Sequence, residues 1–397
     1  MRRNLTLFLT WIVAPFLLSF PTHAVAGTTE QIIYAFQYPA YGQWFPTSQL
    51  VYKDGIFYGL TSAAGGGIYS LAPDGSGGWT YTNLHVFTDT PDCYYGPNNI
   101  VFDSAGNIYG ETIVGGAYNQ GCIYELSPVA GGGWSYQVIF SLGADGIASD
   151  PAGLAVDAAG NLYGTSGGGT GGNGTVFELT RGSDGTWSIS YLHLFDGTDG
   201  TSPNFGLNFD ASGNLFGSTS GGGAHGYGAV FELTPSVGGA WTETTLSSFT
   251  GSMGNIFNVM VAPGNKLYGT TYTSRSGGGI AFELAQQSDG SWLNTTLHEF
   301  NPKGGTGYAA VGTLTVDAEG NVYGTTEFGG AHYLGTAYKL SPTTSGHWNY
   351  GILHSFGESS TDGYNPIGGV TFALGSLFGT TAGGDVYTGG TAWEIFH

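Results

Sequence analysis

One dipeptide returns seven times at a nearly constant interval. Tyr-Gly or Phe-Gly, inside a strand-like run, begins at Tyr58, Tyr109, Tyr163, Phe216, Tyr268, Tyr323 and Phe378, with spacings of 51, 54, 53, 52, 55 and 55 residues. A chain that repeats at so steady a period builds its fold from copies of one unit, each covering its neighbour's apolar face. Every copy holds four strand-like pieces. In the third these are Leu154–Asp157, Asn161–Thr165, Thr175–Leu179 and Trp187–Phe195, here called a, b, c and d. The a–b connection is a short Asp-x-x-Gly-Asn turn ending at Asn107, Asn161, Asn214 and Asn321, where glycine supplies the positive φ of a tight hairpin. The c–d connection is also short, as in Thr234–Gly239, whereas the b–c and d–a connections are longer and more varied.

Composition agrees with strands and turns. Of 397 residues 73 are glycine, 15% are aromatic and only 9% are charged, so there is much to bury and little that favours helix. Four-stranded units of this length, repeated four to eight times, read as propeller blades; the rival is a parallel β-helix, an open stack of shorter coils. The chain ends choose between them. The last copy stops at Ala392–Phe396, a strand c, and lacks a strand d. Ile32–Phe36, near the other terminus, resembles the d segments Leu84–Phe87, Leu192–Phe195 and Leu297–Phe300. Only a closed ring makes use of such an exchange. The expectation is an all-β, seven-bladed β-propeller of about 53-residue repeats, closed by the N-terminal strand completing the last blade.

Met1-Arg-Arg, an apolar run from Leu5 to Phe20 and Ala24-Val-Ala26 read as a secretory signal peptide over residues 1–26, leaving 27–397 as a single domain. Pro15 and the short run argue against a membrane anchor. Without Arg2 and Arg3 the chain keeps 6 basic and 28 acidic residues, a formal charge of −22. Nucleic acids and anionic membranes are therefore excluded as partners, since phosphate binding rests on Lys and Arg. No membrane span is expected in the mature chain, and a monomer is expected. The two cysteines, Cys93 in a d–a loop and Cys122 opening a strand c, are expected to pair in an oxidising compartment.

Gly167, Gly169 and Gly172 spell G-x-G-x-x-G, the pattern that cradles a dinucleotide's phosphates. That site needs a helix after the glycines, and Thr175-Val-Phe-Glu-Leu-Thr180 reads instead as a strand. The recurrent G-N-L-Y-G-T-T, G-G and G-T-V-F-E-L-T-P pattern resembles the bacterial secreted tandem repeats called GloVer repeats, found in choice-of-anchor proteins. The resemblance spans nearly all of residues 30–397 and implies export and repetition, not a reaction. Members often carry a C-terminal anchor; here the last repeat reaches the chain end, so release and other attachment are both expectations.

Residues that recur at one blade position serve packing. Glu125, Glu178, Glu232, Glu283 and Glu394 recur in strand c, and His85, His193, His298 and His354 in strand d, yet the sets do not travel together. The second and fourth copies carry Val138 and Ser247 at the His position, and the sixth has Lys339 at the Glu position. These groups, and the tryptophans opening strand d (Trp134, Trp187, Trp241), are read as structural. Function then belongs to the non-repeated residues of the b–c and d–a loops, which share one face: Tyr94, Asn119, His225, Tyr227, Arg275, Tyr308, His332, Tyr333, Tyr364 and Asp385. Rings beside His and Arg around a glycine-lined mouth suit a sugar ring.

Asp199-Gly-Thr-Ser-Pro203, Asp362-Gly-Tyr-Asn-Pro366 and a looser copy from Asp145 to Pro151 mark the d–a loops. They make calcium the metal to consider, against ordinary turn chemistry; no other cofactor is expected. No zincin helix motif, nucleophile elbow or zinc-finger spacing occurs. The reading is a secreted or surface-associated extracellular binding module, with polysaccharide or another envelope component as partner and no catalysis. The alternative is a carbohydrate-active enzyme, a lyase or hydrolase, with its site at the mouth and His225, His332, Arg275 and tyrosines as its groups.

Overall fold

Each repeat folds into one four-stranded antiparallel sheet, and seven such sheets are present. The computed structural model describes residues 29–37, 45–88, 92–168, 172–203, 205–251, 256–272, 274, 276–384 and 388–396. The expected leader, 1–26, lies outside the described residues, as do Gly169, Arg275 and Asp385. Blades 1 to 6 occupy 51–86, 93–141, 151–194, 208–248, 256–299 and 308–355. Blade 3 is typical, with strands a Pro151–Val156, b Leu162–Ser166, c Thr175–Arg181 and d Trp187–Leu194. Thr175–Arg181 is thus a strand, and the G-x-G-x-x-G run precedes no helix.

Blade 7 takes strands a, b and c from Val370–Ala373, Ser376–Thr381 and Thr388–Phe396, and its strand d is Thr29–Gln37 from the other end of the chain. The two pair antiparallel, with Thr29 opposite Phe396 and Ile32 opposite Trp393. The core confirms closure. Buried apolar side chains form seven clusters, each spanning one pair of adjacent blades, and one of them joins Ile33 and Phe36 of blade 7 to Phe57, Tyr69 and Leu71 of blade 1.

The repeated dipeptide has a steric cause. A Cβ on Gly164 would stand 2.5 Å from the tip of the Phe177 ring, which strand c lays across it. Gly110 faces Tyr124 in the same way, and Gly379 faces Trp393. Only glycine lets the strand c aromatic lie flat there. The preceding Tyr or Phe turns outward to the next blade, where the tryptophan opening strand d meets it edge-on: Trp187 on Tyr109 at 6.0 Å, Trp241 on Tyr163 at 5.9 Å and Trp348 on Tyr268 at 6.0 Å. Strand c's Glu meets the same tyrosines, with Tyr163 Oη donating to Glu178 Oε1 at 2.8 Å.

Strand d carries a β-bulge in blades 1 to 6, between the partners of Val176 and Phe177 in blade 3. The extra residue corrects one sequence assignment. Phe140, not Val138, holds the His position in blade 2, because it pairs with Ile123 as His193 pairs with Val176. The second copy ends this motif in Leu142 rather than Phe, which hid the register.

Strands a line a central channel. Carboxamides clasp neighbouring blades across it: Asn99 Nδ2 donates to Leu154 O at 3.0 Å, Asn208 Nδ2 to Val259 O at 2.8 Å and Gln49 Nε2 to Val370 O at 2.7 Å.

Candidate functional site

Antiparallel order puts the b–c and d–a loops of every blade on one face and the a–b and c–d turns on the other. Among the described residues, neighbouring loops of the first face are stitched to one another. The Asp150 amide, in the loop from blade 2 to blade 3, donates to Gln120 O, and Asp150 O accepts from the Gly167 amide of the next blade. Ser202 N to Asn173 O, Ala309 N to Gly278 O and Asn365 N to Leu334 O repeat the pattern farther round.

The described candidates belong to this face in three separate groups. On blade 2, Asn119 takes a positive φ of 54° and its Oδ1 accepts the Gly115 amide, a turn-forming role. Tyr94 lies half-buried inside strand a (Cys93–Phe102), paired with Val114, rather than in a loop. On blade 4, His225 is exposed and Tyr227 shields Gly251. On blade 6, His332 and Tyr333 are exposed, and Tyr308 opens strand a (Tyr308–Val316), half-buried and stacked on Phe328 at 5.4 Å. Tyr364, in the adjoining d–a loop, lies over Gly383. Arg275 and Asp385 lie outside the described residues. The described candidates lie on the b–c/d–a face in these separate groups.

Sequence reasoning missed part of the same surface. Among the described residues every exposed tyrosine stands on this face: Tyr95, Tyr118, Tyr227, Tyr272, Tyr333 and Tyr364. Tyr333 leads at 71% exposed. None of the described tyrosines on the a–b/c–d face is exposed. A flat phenol on each of several blades is a set of stacking surfaces with a hydroxyl at its edge.

The channel below is chemically quiet. A cavity of about 700 Å³ is lined by strand a residues of blades 1 to 6 and by Ile367 and Gly368 ahead of strand a in blade 7, among them Asn99, Asn208, Asn258 and Thr313, and Lys53 is the one charged residue in its described lining. Most glycoside hydrolases cleave with two carboxyl groups flanking the glycosidic bond. The lining supplies none.

Cys93 and Cys122 form a disulfide, both sulfurs fully buried, with Cα atoms 5.7 Å apart. Cys93 opens strand a of blade 2 instead of standing in a loop, so the bridge ties strand a to strand c behind the loops.

The recurrent histidines partner aspartates of the d–a loops, not the strand c glutamates. His193 Nε2 lies 2.7 Å from Asp199 Oδ2, His354 Nε2 lies 3.1 Å from Asp362 Oδ2, and His85 Nε2 lies 3.5 Å from Asp92 Oδ2. Two of the three aspartates singled out for calcium are thus imidazole partners. The third, Asp145, accepts the Tyr191 hydroxyl at 2.6 Å and the Ile147 amide. His298 lacks such a partner; burial holds its pKa down to about 4, with Glu299 opposing, and its ring stacks on Tyr350 at 4.0 Å.

A further buried carboxyl was also missed. Glu111 has no exposure and occupies the position after the Tyr-Gly glycine, where five other copies carry Thr or Ser and the first carries Leu60. That break in the repeat was its only signal.

The profile of the Gloeobacter/Verrucomicrobia repeat matches residues 45–278. No curated protein matches the chain. Among solved structures, the chain is similar to a putative 6-phosphogluconolactonase from Bacteroides fragilis at 12% identity and a TM-score of 0.53, over 84% of this chain and 86% of that one. A counterpart from Bacteroides uniformis matches at 13% identity and a TM-score of 0.51, over 78% and 84% of the two chains. An ancestral GH74 enzyme matches at 12% identity and a TM-score of 0.59; 89% of this chain is covered but only 48% of that protein. At these identities the likeness is one of fold.

Proposed function

The chain belongs to the Gloeobacter/Verrucomicrobia repeat family, and from that membership we propose that it is an exported β-propeller that binds a neutral polysaccharide on its b–c/d–a face without cleaving it. The observation that carries the reading is the segregation of all exposed, described tyrosines to that face. Stacking stations spread over several blades suit a chain-like ligand that touches many points weakly, where each contact adds through effective concentration. The formal charge of −22 without the leader disfavours anionic polymers, and the described channel lining holds no carboxylate. The positive leader, apolar run and Ala24-Val-Ala26 support export, and the buried disulfide agrees with an oxidising destination.

A glycan array, followed by affinity electrophoresis in gels carrying the best neutral polysaccharide, tests this. Tyr118→Ala, Tyr227→Ala and Tyr333→Ala are each expected to weaken binding roughly 3- to 10-fold, the equivalent of about 0.5–1.5 kcal/mol per ring. The triple variant should run as a non-binder with an unchanged melting curve. New reducing ends or unsaturated uronates after incubation would instead establish the carbohydrate-active enzyme.

A further inference from the structure

The seven blade interfaces obey one pairing rule in strand d. The residue two before the closing Phe or Leu of one blade meets the residue six before it in the next. His85 stacks on Tyr136 at 3.6 Å, His298 on Tyr350 at 4.0 Å, and Tyr34 on Tyr81 at 4.8 Å across the ring closure. Asn294 Nδ2 donates to Ser247 Oγ at 3.1 Å, and Phe140 packs with Ile189 in one apolar cluster. None of these five pairs contains a carboxylate. The remaining two interfaces repeat one different combination: His193 of blade 3 with Glu243 of blade 4, and His354 of blade 6 with Glu30 of blade 7. Each also gathers the d–a aspartate, Asp199 or Asp362, and in each trio the ligand atoms lie within 4.8 Å of one another.

Blade 1 shows what the aspartate does when no glutamate is present. There Tyr136 replaces the glutamate, and its hydroxyl donates to Asp92 Oδ1 beside His85. At the blade 6/7 interface the replacement leaves acceptors facing acceptors. Asp362, its side chain only 5% exposed, spends Oδ2 on His354 and on the Gly357 and Glu358 amides, while its Oδ1 and the Oε1 of Glu30 are buried without a partner. Two buried carboxyl oxygens and one imidazole call for a cation.

We propose that Glu30, His354 and Asp362 bind a divalent transition-metal ion of the zinc class, and that His193, Asp199 and Glu243 form a second copy of the same site three interfaces away. One imidazole nitrogen with two carboxylate oxygens is a zinc-type donor set; calcium favours six to eight oxygens. The ion would sit among His354 Nε2 and the Glu30 and Asp362 carboxylates, whose ligand atoms lie within 4.8 Å of one another. The position gives the ion a task. Glu30 lies in the strand that closes the ring, so the metal fastens that strand to blade 6.

The test uses the mature chain, stripped with a chelator and dialysed, then titrated with zinc, calcium or magnesium and assayed by elemental analysis, calorimetry and thermal melting. Two zinc ions per chain are expected, with a melting midpoint several degrees higher than in the stripped protein. Glu30→Gln and, separately, His193→Gln should each retain one ion, and the double variant none. Because the blade 3/4 copy does not involve a chain terminus, His193→Gln reports on the site even if Glu30→Gln disturbs closure. The proposal is overturned by no retained zinc and no midpoint shift at millimolar concentration, which would leave a proton shared between carboxyls. Equal preference for calcium, or two ions in either single variant, overturns it as well.

Discussion

Glu111 is a side chain whose chemistry opposes its surroundings. One carboxyl oxygen accepts the Gly153 amide at 2.7 Å from the neighbouring blade, and the other is buried without a partner. Burial raises its pKa from 4.5 to about 8, against the pull of the Gly153 and Asn99 amides, so the folded protein holds it protonated at neutral pH. The folded pKa lies above the unfolded one, so this group's contribution is whole below pH 4.5. As pH rises from there to about 8 the unfolded carboxyl ionises and the folded one does not, and stability falls by a few kcal/mol over that window. Glu111→Gln keeps the size and removes the proton, so its urea midpoint should decline distinctly less than that of the wild type between pH 5 and 8. Parallel declines would remove Glu111 as the source. His298 acts oppositely: its depressed pKa makes stability fall as pH drops from 6.5 toward 4, and His298→Phe should flatten that acid limb while keeping a ring against Tyr350. The sequence displayed both residues without displaying their states, since protonation depends on neighbours tens of residues away.

Strands were legible because one steric demand recurs seven times. The glycine of each Tyr-Gly is required by the strand c aromatic above it, so Gly164→Ala forces Phe177 and Leu154 apart. Overpacking of this kind costs roughly 1–3 kcal/mol. The urea midpoint of Gly164→Ala should fall accordingly, and adding Phe177→Leu should recover part of the loss, which a simple loss of strand propensity would not allow. What the sequence concealed at this scale was the bulge in strand d. One unpaired residue shifts the side chains that follow it to the other face, and in blade 2 the closing Leu142 removed the aromatic landmark that marks the register elsewhere. The pairing rule between blades was concealed for a second reason. Its partners stand one whole repeat apart and change chemistry at each interface, so neither residue repeats in a way that points to the other.

The ring as a whole rests on a strand borrowed across the termini. Thr29–Gln37 buries Ile33 and Phe36 in the blade 7/1 cluster and covers the edge of Thr388–Phe396. A chain lacking residues 1–37 forfeits about 3–6 kcal/mol from those two side chains alone. It also exposes an unpaired strand edge beside Trp393, a template for association with another copy. Such a chain should melt at lower temperature and self-associate in size-exclusion chromatography. Truncation alone would not separate loss of closure from loss of material, but a circular permutant does. Thr29 stands opposite Phe396, so a short Gly/Ser linker joins the natural ends, and new ends can open at the exposed c–d turn around Val237 of blade 4. The permutant keeps every strand and turns the closing strand into an ordinary hairpin partner. It should retain the oligomeric state of the parent and a midpoint within a few degrees of it, while the truncated chain fails on both counts. A truncated chain that melted like the parent would show that packing among blades 1 to 6 holds the toroid without closure. It would also deprive the Glu30 metal site of its structural purpose while leaving the His193 site untouched.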